Sequence, residues 1–223
     1  IFGKPPKILF FENHIQNLIR SLKVYGIKKR SLKKDILKII SKNLGKSINY
    51  NHLLRVALNN KIISISLRKR ISPKLDFNLK LVNLKREKPE HKNLKYKKIL
   101  SYLVKIDNSK SDIGLVYNKK ILETGTSNLL FIKNKKVFSP KKNYYEGNTL
   151  KFIKTKIKKM IQKDIFIKEL NNYDEIILIG SGKGVASVKT INQIGWKRNS
   201  LKQFKIFSKY YHSAIKKCNQ YKF

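Results

Sequence analysis

Cysteine, methionine and tryptophan each occur only once in this sequence, and acidic residues number only 13 among 223. The lone Cys218 excludes a domain cross-linked by disulfides and a zinc site built from several cysteine ligands. No apolar run approaches the roughly 20 residues of a membrane-spanning helix. No long apolar stretch follows Lys4 and Lys7 to form a signal peptide. We therefore expect a protein of the cytoplasm that has no membrane partner.

The chain is nevertheless rich enough in apolar residues to fold. Hydrophobic residues make up 41% and aromatic residues 10% of the sequence, which argues against a wholly disordered chain. A length of 223 residues allows either one large domain or two smaller ones, with an apolar core in each case.

Positive charge dominates the sequence: 52 lysines and arginines stand against 13 acidic residues, giving a formal net charge of +39. Such a charge favours nucleic acid or an anionic membrane as a partner. Two features oppose this interpretation. The lysines are spread over the whole chain, and only seven of the 52 are arginine, the residue that makes bidentate contacts with bases. We favour drift towards residues with A- and T-rich codons as the explanation of the composition and keep nucleic acid as the alternative. In either case the charge should attract anionic ligands.

The first part of the chain predicts a small α+β domain. Apolar residues at a spacing of three and four predict a helix over 13–25, and a second helix follows Ser31, a good N-cap. Strands are predicted over 53–58, 62–67 and 76–84. A charged connector, Arg86–Glu90, follows, and we therefore divide the chain into domains 1–86 and 87–223.

The second part mixes short strands with helices. Helical spacing covers 94–104, 150–161 and 200–217. Short strands are predicted over 113–117, 121–123, 129–132, 137–138, 165–167 and 175–179. The pairs Asn118-Lys119 and Asn134-Lys135 predict tight turns between strands.

Four short segments carry the residues suited to chemistry. They are His91–Tyr96 after the connector, Glu123–Leu129, Tyr145–Thr149 before a helix, and Gly180–Gly184 after an apolar strand. The glycines of the last segment fit neither the dinucleotide-binding nor the P-loop pattern, which argues against a nucleotide site. The four histidines lack the spacing of metal ligands, so no metal is predicted.

At these segments the chain resembles the class IV aminotransferases, the fold-type IV pyridoxal-phosphate enzymes. They include branched-chain and D-amino acid aminotransferases and 4-amino-4-deoxychorismate lyases. His14–Leu18 with Ser21 looks like an early helix motif of the family, Arg55–Leu58 looks like the following strand, and Glu123–Asn128 is the most specific match. The resemblance implies an α/β (α+β) fold with a small N-terminal α+β domain and a larger domain built on a barrel-like mixed sheet.

The resemblance also implies roles for three side chains around pyridoxal 5'-phosphate. Lys92 would be the catalytic lysine, which binds the cofactor aldehyde covalently and moves a proton during the reaction. Position alone selects it, because 52 basic residues make composition uninformative. Glu123 matches the carboxylate that keeps the ring nitrogen protonated. Tyr96 matches a residue near the phenolic oxygen, although a core tyrosine fits the same position.

The remaining implied contacts involve the cofactor phosphate and the substrate. Asn148 and Thr149 match the residues that hold the phosphate at a helix start, where N–H groups and hydroxyls suit an anion. Ser181 and Gly182 match a second set of cofactor-binding donors. The amides of Gly182 and Lys183 resemble the family's site for the substrate carboxylate.

Several positions depart from the family pattern. Asn17 stands where members carry an arginine that holds the phosphate, and a nearby lysine or Arg20 would have to replace that contact. Leu150 also stands in place of an arginine. The family's first strands are missing before Ile1, so we expect the small domain to lack them.

We therefore expect an aminotransferase that moves an amino group from an amino acid to a 2-oxo acid and works as a homodimer. A 4-amino-4-deoxychorismate lyase, which would use Lys92 to release pyruvate from aminodeoxychorismate, is the close alternative because the chain lacks the long insertions of branched-chain enzymes. The third alternative is a basic protein that binds nucleic acid on a degenerate aminotransferase scaffold.

Overall fold

The computed structural model of the chain describes residues 1–218 and divides them into two units. The first unit comprises Ile1–Arg70, Lys92–Leu94 and a C-terminal piece that begins at Ser213. The second comprises Ile71–His91 and Lys95–His212. Within residues 1–218, no helix is long and apolar enough to cross a membrane.

Two helices and a small antiparallel sheet form the first unit. The elements are β1 (Phe2–Gly3), α1 (Phe11–Val24), α2 (Leu32–Asn43), β2 (Tyr50–Leu58) and β3 (Ile63–Lys69), with the strands in the order β1-β2-β3. Ile15 and Leu22 of α1 are buried with Ile36 and Ile40 of α2 in one apolar cluster. Burial of these one-sided apolar stripes is the main source of the unit's stability.

A nine-stranded mixed sheet dominates the second unit. Its strands are β4 (Phe77–Asn83), β5 (Ser111–Tyr117), β6 (Lys120–Thr124), β7 (Asn128–Lys133), β8 (Lys136–Pro140), β9 (Met160–Lys163), β10 (Glu175–Gly180), β11 (Gly184–Ile191) and β12 (Trp196–Lys197). The order is β6-β5-β4-β11-β10-β7-β8-β9, with β12 beside β11. The pairs β4–β5, β4–β11 and β8–β9 are parallel and the others antiparallel. Because β6 also contacts β7, the sheet curls into a half-barrel, and the predicted α+β fold class is confirmed.

Three α-helices accompany this sheet: α3 (Lys97–Leu103), α4 (Asn148–Lys154) and α5 (Lys202–Lys217). The start of α5 is fixed by Glu175 of β10, which is buried and accepts the N–H groups of Gln203 and Phe204 at 2.8 and 2.9 Å. This carboxylate satisfies N–H groups that the first helical turn leaves without a partner. Phe207, one turn later, is fully buried in the core.

Two tight turns confirm the sequence prediction and set the register of the strands that lead to the site. Asn118 and Lys119 have φ values of 48° and 60°, and Asn134 and Lys135 have 49° and 63°. Two consecutive residues with positive φ form the turn type that joins antiparallel strands, and asparagine tolerates this conformation well. These turns connect β5 to β6 and β7 to β8.

The segment after α4 differs from the prediction. The predicted helix 150–161 is wrong beyond Lys154, because Met160–Lys163 pairs in parallel with Val137–Pro140 of β8. The predicted strand 165–167 is also wrong: Ile167 begins a short 3-10 helix that ends at Asn172. Pairing with a distant strand outweighs the local apolar spacing here.

Candidate active site

Lys92 lies in the first unit, on an irregular segment that two hydrogen bonds attach to the end of α1. Its backbone N–H donates to Oγ of Ser21 at 3.3 Å, and the Ser21 hydroxyl donates to the carbonyl of Asn17 at 3.0 Å. Nδ2 of Asn93 donates to the hydroxyl of Tyr25 at 3.2 Å. These contacts hold the segment on polar residues of α1 and leave Lys92 exposed.

His14 of α1 is electrostatically coupled to Lys92. Desolvation by the surrounding protein is the larger cause, and the Lys92 ammonium the second, that lower the pKa of His14 to about 4. Part of the side chain is nevertheless exposed to solvent. Because this pKa lies well below neutral pH, His14 is uncharged there and adds no positive charge beside Lys92.

Glu123 stands near the end of β6 in the second unit, with Arg86 as its partner. Nε of Arg86 lies 2.6 Å from Oε1 of Glu123, and the guanidinium NH2 donates to Oε2 at 3.1 Å. The two side chains are only 8% and 6% exposed. The same NH2 donates to the carbonyl of Pro89 at 2.6 Å, and the N–H of Tyr145 donates to Oε2 at 3.2 Å. The result is a buried carboxylate that is fixed in orientation by charge-assisted hydrogen bonds.

Arg86 lies in the stretch that the sequence predicts to be a charged connector, and its role beside Glu123 is not predicted. Arg86 and Glu123 are 37 residues apart, so no local pattern links them. Only the composition points to Arg86, because arginine is scarce in this chain. A planar guanidinium also suits a buried bidentate ion pair better than the ammonium of lysine does.

Asn128 fixes the loop that leads from β8 to α4. Its Nδ2 donates to the carbonyl of Tyr145 at 2.6 Å, and its Oδ1 accepts the N–H of Gly147 at 3.1 Å. A Cβ at Gly147 would lie 3.0 Å from the same Oδ1, so a larger residue would require the Asn128 side chain to move by a few tenths of an ångström. Since Tyr145 also contacts Glu123, the start of α4 and the Glu123 carboxylate are held in one local framework.

Thr149 has the side chain at the start of α4 that best suits a bound anion. Its side chain is fully buried in the first turn of α4, and its hydroxyl has no hydrogen-bond partner among residues 1–218. Asn148 beside it is also buried. Buried hydroxyls are nearly always paired, so this donor fits an oxygen of a bound anion. The phosphate of pyridoxal phosphate is such an anion, and the resemblance to the family implies that Thr149 contacts it.

The Gly180–Gly184 loop approaches the segment that follows Glu123. A Cβ at Gly180 would lie 2.9 Å from Oγ of Ser127, so glycine is required for this close contact. Ser181 and Gly182 are half-buried in the turn. Lys183 directs its ammonium inward: Nζ donates to the carbonyl of Asn108 at 3.0 Å, and the side chain is only 7% exposed.

Tyr96 lies in the second unit at the residue that precedes α3. It is half-buried and packs against an apolar cluster that includes Ile99 and Leu103 of that helix and Ile113 of β5. The two roles considered from the sequence, a cofactor contact and a core tyrosine, therefore remain compatible with its position.

Within the second unit, the structure brings together three of the predicted segments. Glu123 and the start of α4 are joined by the hydrogen bonds of Tyr145 and Asn128, and Gly180, which precedes Ser181, lies against Ser127. Lys92 belongs to the first unit, where it lies beside the predicted helix motif of α1. No cluster of three or more histidine, cysteine, aspartate or glutamate side chains suited to a metal ion occurs within the described part of the chain.

A profile described as amino-transferase class IV matches residues 2–191. No curated protein sequence matches the chain. The family match therefore extends over most of the chain, including every residue that the sequence analysis placed in the site.

Solved structures share the fold at low sequence identity. A branched-chain aminotransferase from Thermoproteus uzoniensis, solved with norvaline, has a TM-score of 0.74 and 16% identity, covering 95% of this chain and 81% of that one. A Legionella pneumophila protein assigned as a 4-amino-4-deoxychorismate lyase has a TM-score of 0.73 and 18% identity, covering 95% and 89%. A branched-chain amino acid aminotransferase from T.th., complexed with N-(5'-phosphopyridoxyl)-L-glutamate, has a TM-score of 0.76 and 15% identity, covering 96% and 81%.

Proposed function

Because the chain belongs to the class IV aminotransferase family, whose members are pyridoxal-phosphate enzymes, we propose that it transfers an amino group from an amino acid to a 2-oxo acid. The observation that carries the proposal is the buried Thr149 hydroxyl without a partner among residues 1–218, at the position expected to hold the cofactor phosphate. When bound, the cofactor supplies an electron sink for the carbanion that forms at the substrate Cα.

In this proposal Lys92 is the catalytic residue: its amine takes the proton from Cα of the amino donor and, in the second half of the reaction, delivers a proton to Cα of the amino acid formed from the 2-oxo acid. His14 of α1 is uncharged at neutral pH and therefore adds no positive charge beside this amine. Tyr96, in the second unit, would contact the phenolic oxygen of the cofactor.

Glu123 would hold the proton on the ring nitrogen. A buried carboxylate that Arg86 holds in a fixed orientation suits this task, because a cationic ring withdraws electrons more strongly. Arg86 acts through Glu123 and is therefore a positioning residue.

Asn148, Thr149, Ser181 and Gly182 would bind the cofactor, and the amides of Gly182 and Lys183 would bind the substrate carboxylate. The burial of Asn148 and Thr149 supports a site from which water is excluded, where each hydrogen bond to an anion is strong. The high positive charge of the chain supports the capture of anionic ligands.

A 4-amino-4-deoxychorismate lyase is the second candidate. It would use the same lysine and release pyruvate. One observation favours it: this chain covers 89% of the Legionella protein assigned as such a lyase but 81% of the two branched-chain aminotransferases, in keeping with a chain that lacks long insertions.

One assay with two substrates separates these activities. We expect purified protein with pyridoxal phosphate to form glutamate from 2-oxoglutarate and an amino donor, and the Lys92→Ala variant to form none. Release of pyruvate and 4-aminobenzoate from aminodeoxychorismate, without glutamate formation, would establish the lyase instead. Failure of both reactions, together with salt-sensitive binding of RNA or DNA, would favour the nucleic-acid alternative.

We further propose that the protein is a cytoplasmic homodimer, as expected from the family. Light scattering on purified protein should then give twice the chain mass of 26.2 kDa. A mass equal to that of one chain would contradict the dimer.

We expect Thr149→Val to weaken pyridoxal phosphate binding about tenfold or more, because a hydrogen bond to a charged group contributes roughly 1.5–3 kcal/mol. The same change should leave the cofactor-free protein as stable as before or slightly more stable, since it removes a buried hydroxyl without a partner among residues 1–218. Absorbance titration and thermal unfolding measure the two effects.

The matched control is Thr155→Val at the other end of α4, where the exposed hydroxyl donates to the carbonyl of Phe152 at 2.8 Å. This variant should bind the cofactor normally. Loss of stability in Thr149→Val, with unchanged cofactor affinity, would show that the hydroxyl has a structural role only.

A further inference from the structure

Asp112, at the second residue of β5, is a fully buried carboxylate that the proposed reaction does not use. It accepts the N–H of Ile113 at 2.8 Å and the hydroxyls of Thr124 and Thr126 at 3.0 and 2.6 Å. These three donors stabilise the carboxylate in the interior. Burial of such a group without hydrogen bonds would be strongly unfavourable.

Lys183 completes this polar cluster from the opposite loop. Its ammonium lies 3.9 Å from Oδ2 of Asp112, donates to the carbonyl of Asn108 at 3.0 Å and sits 5.3 Å from the centre of the Phe77 ring. Burial raises the pKa of Asp112, and the Lys183 ammonium opposes that rise. Each charge therefore depends on the other for its stability in the interior.

The cluster connects two parts of the site that are far apart in the sequence. Thr124 and Thr126 belong to the segment that directly follows Glu123, whereas Lys183 belongs to the loop with Ser181 and Gly182. We propose that Asp112 and Lys183 are positioning residues that fix the spacing of these two segments and thereby set the affinity for the substrate carboxylate. This inference rests on the proposed function, in which the 180–184 loop binds that carboxylate.

The pair also determines which groups of the 180–184 loop can bind the substrate carboxylate. The Lys183 ammonium is committed to Asp112 and Asn108, so its charge faces the interior. The carboxylate of the substrate is then bound by backbone amides, whose direction depends on where the loop sits. A displacement of this loop therefore weakens the binding of the substrate carboxylate.

Four variants test the role of the pair: Asp112→Asn, Lys183→Met, both together, and Lys163→Met as a control that removes a lysine from the ion pair with Glu169. We expect each single variant to raise KM for 2-oxoglutarate or aminodeoxychorismate, whichever the wild type uses, about tenfold, with kcat changed by less than about threefold. The double variant should raise KM about as much as either single variant, because each single change already removes the contact that fixes the spacing. The control should not alter KM.

Hydrogen exchange provides a readout that needs neither cofactor nor turnover. Lys183→Met should accelerate amide exchange in residues 124–127 as well as in its own loop, and Lys163→Met should accelerate neither. Exchange that increases only around residue 183, or a KM unchanged in Lys183→Met, overturns the proposal. The wild type could lack both activities while Lys183→Met still accelerates exchange in residues 124–127. In that case the proposed function fails, but the connection between the two segments stands.

Discussion

Replacement of Lys92 by alanine should abolish the visible absorption of the protein with pyridoxal phosphate, expected at about 420 nm, and lower turnover by about a thousandfold or more. The reason is that one amine performs two tasks: it attaches the cofactor and carries the proton. The measurements are the visible spectrum before and after borohydride and steady-state turnover.

The matched control is Lys95→Ala, three residues further along the same segment. The Lys95 ammonium is exposed and forms an ion pair with Glu87 at 2.7 Å. This variant should keep both the absorption band and the activity. Borohydride fixes the cofactor to the lysine that holds it, so peptide mapping must find Lys92 in the wild type; labelling of another lysine would refute the assignment.

Much of the fold was predictable because local rules and tertiary structure agree. The turns at Asn118-Lys119 and Asn134-Lys135 lie between alternating strands, and the structure confirms both. Local rules fail after α4, where isoleucines at a spacing of four favour a longer helix. There Ile161 pairs with Phe138 in a parallel strand, a partner that no local window contains.

In the candidate site, too, residues in short sequence motifs could be predicted, whereas residues defined by distant contacts could not. Lys92 and Glu123 were selected by resemblance to family motifs, because lysine is too abundant here for composition to select one. Arg86 and Asp112 were missed, because their partners are Glu123 and Lys183, distant in sequence. Long-range pairs of this kind become visible only when the sheet has brought their strands together.

The Arg86–Glu123 pair should be one of the most costly contacts to break in the second unit. Arg86→Met would leave the Glu123 carboxylate buried without its cation, and such a loss typically lowers the free energy of unfolding by about 3–5 kcal/mol. Urea unfolding can be followed by the fluorescence of Trp196, the one tryptophan, which is buried in the same unit.

The double variant Arg86→Met/Glu123→Gln isolates the electrostatic cause. Removal of both charges should recover more than half of the stability that Arg86→Met loses, since replacement of a buried ion pair by neutral groups is often nearly neutral. Its turnover should nevertheless stay low, because glutamine cannot hold a proton on the ring nitrogen. Lys33→Met, which breaks the exposed pair with Glu12, should change stability little. If Arg86→Met were equally mild, the carboxylate would not depend on Arg86, and its assigned role as the positioning residue of Glu123 would be wrong.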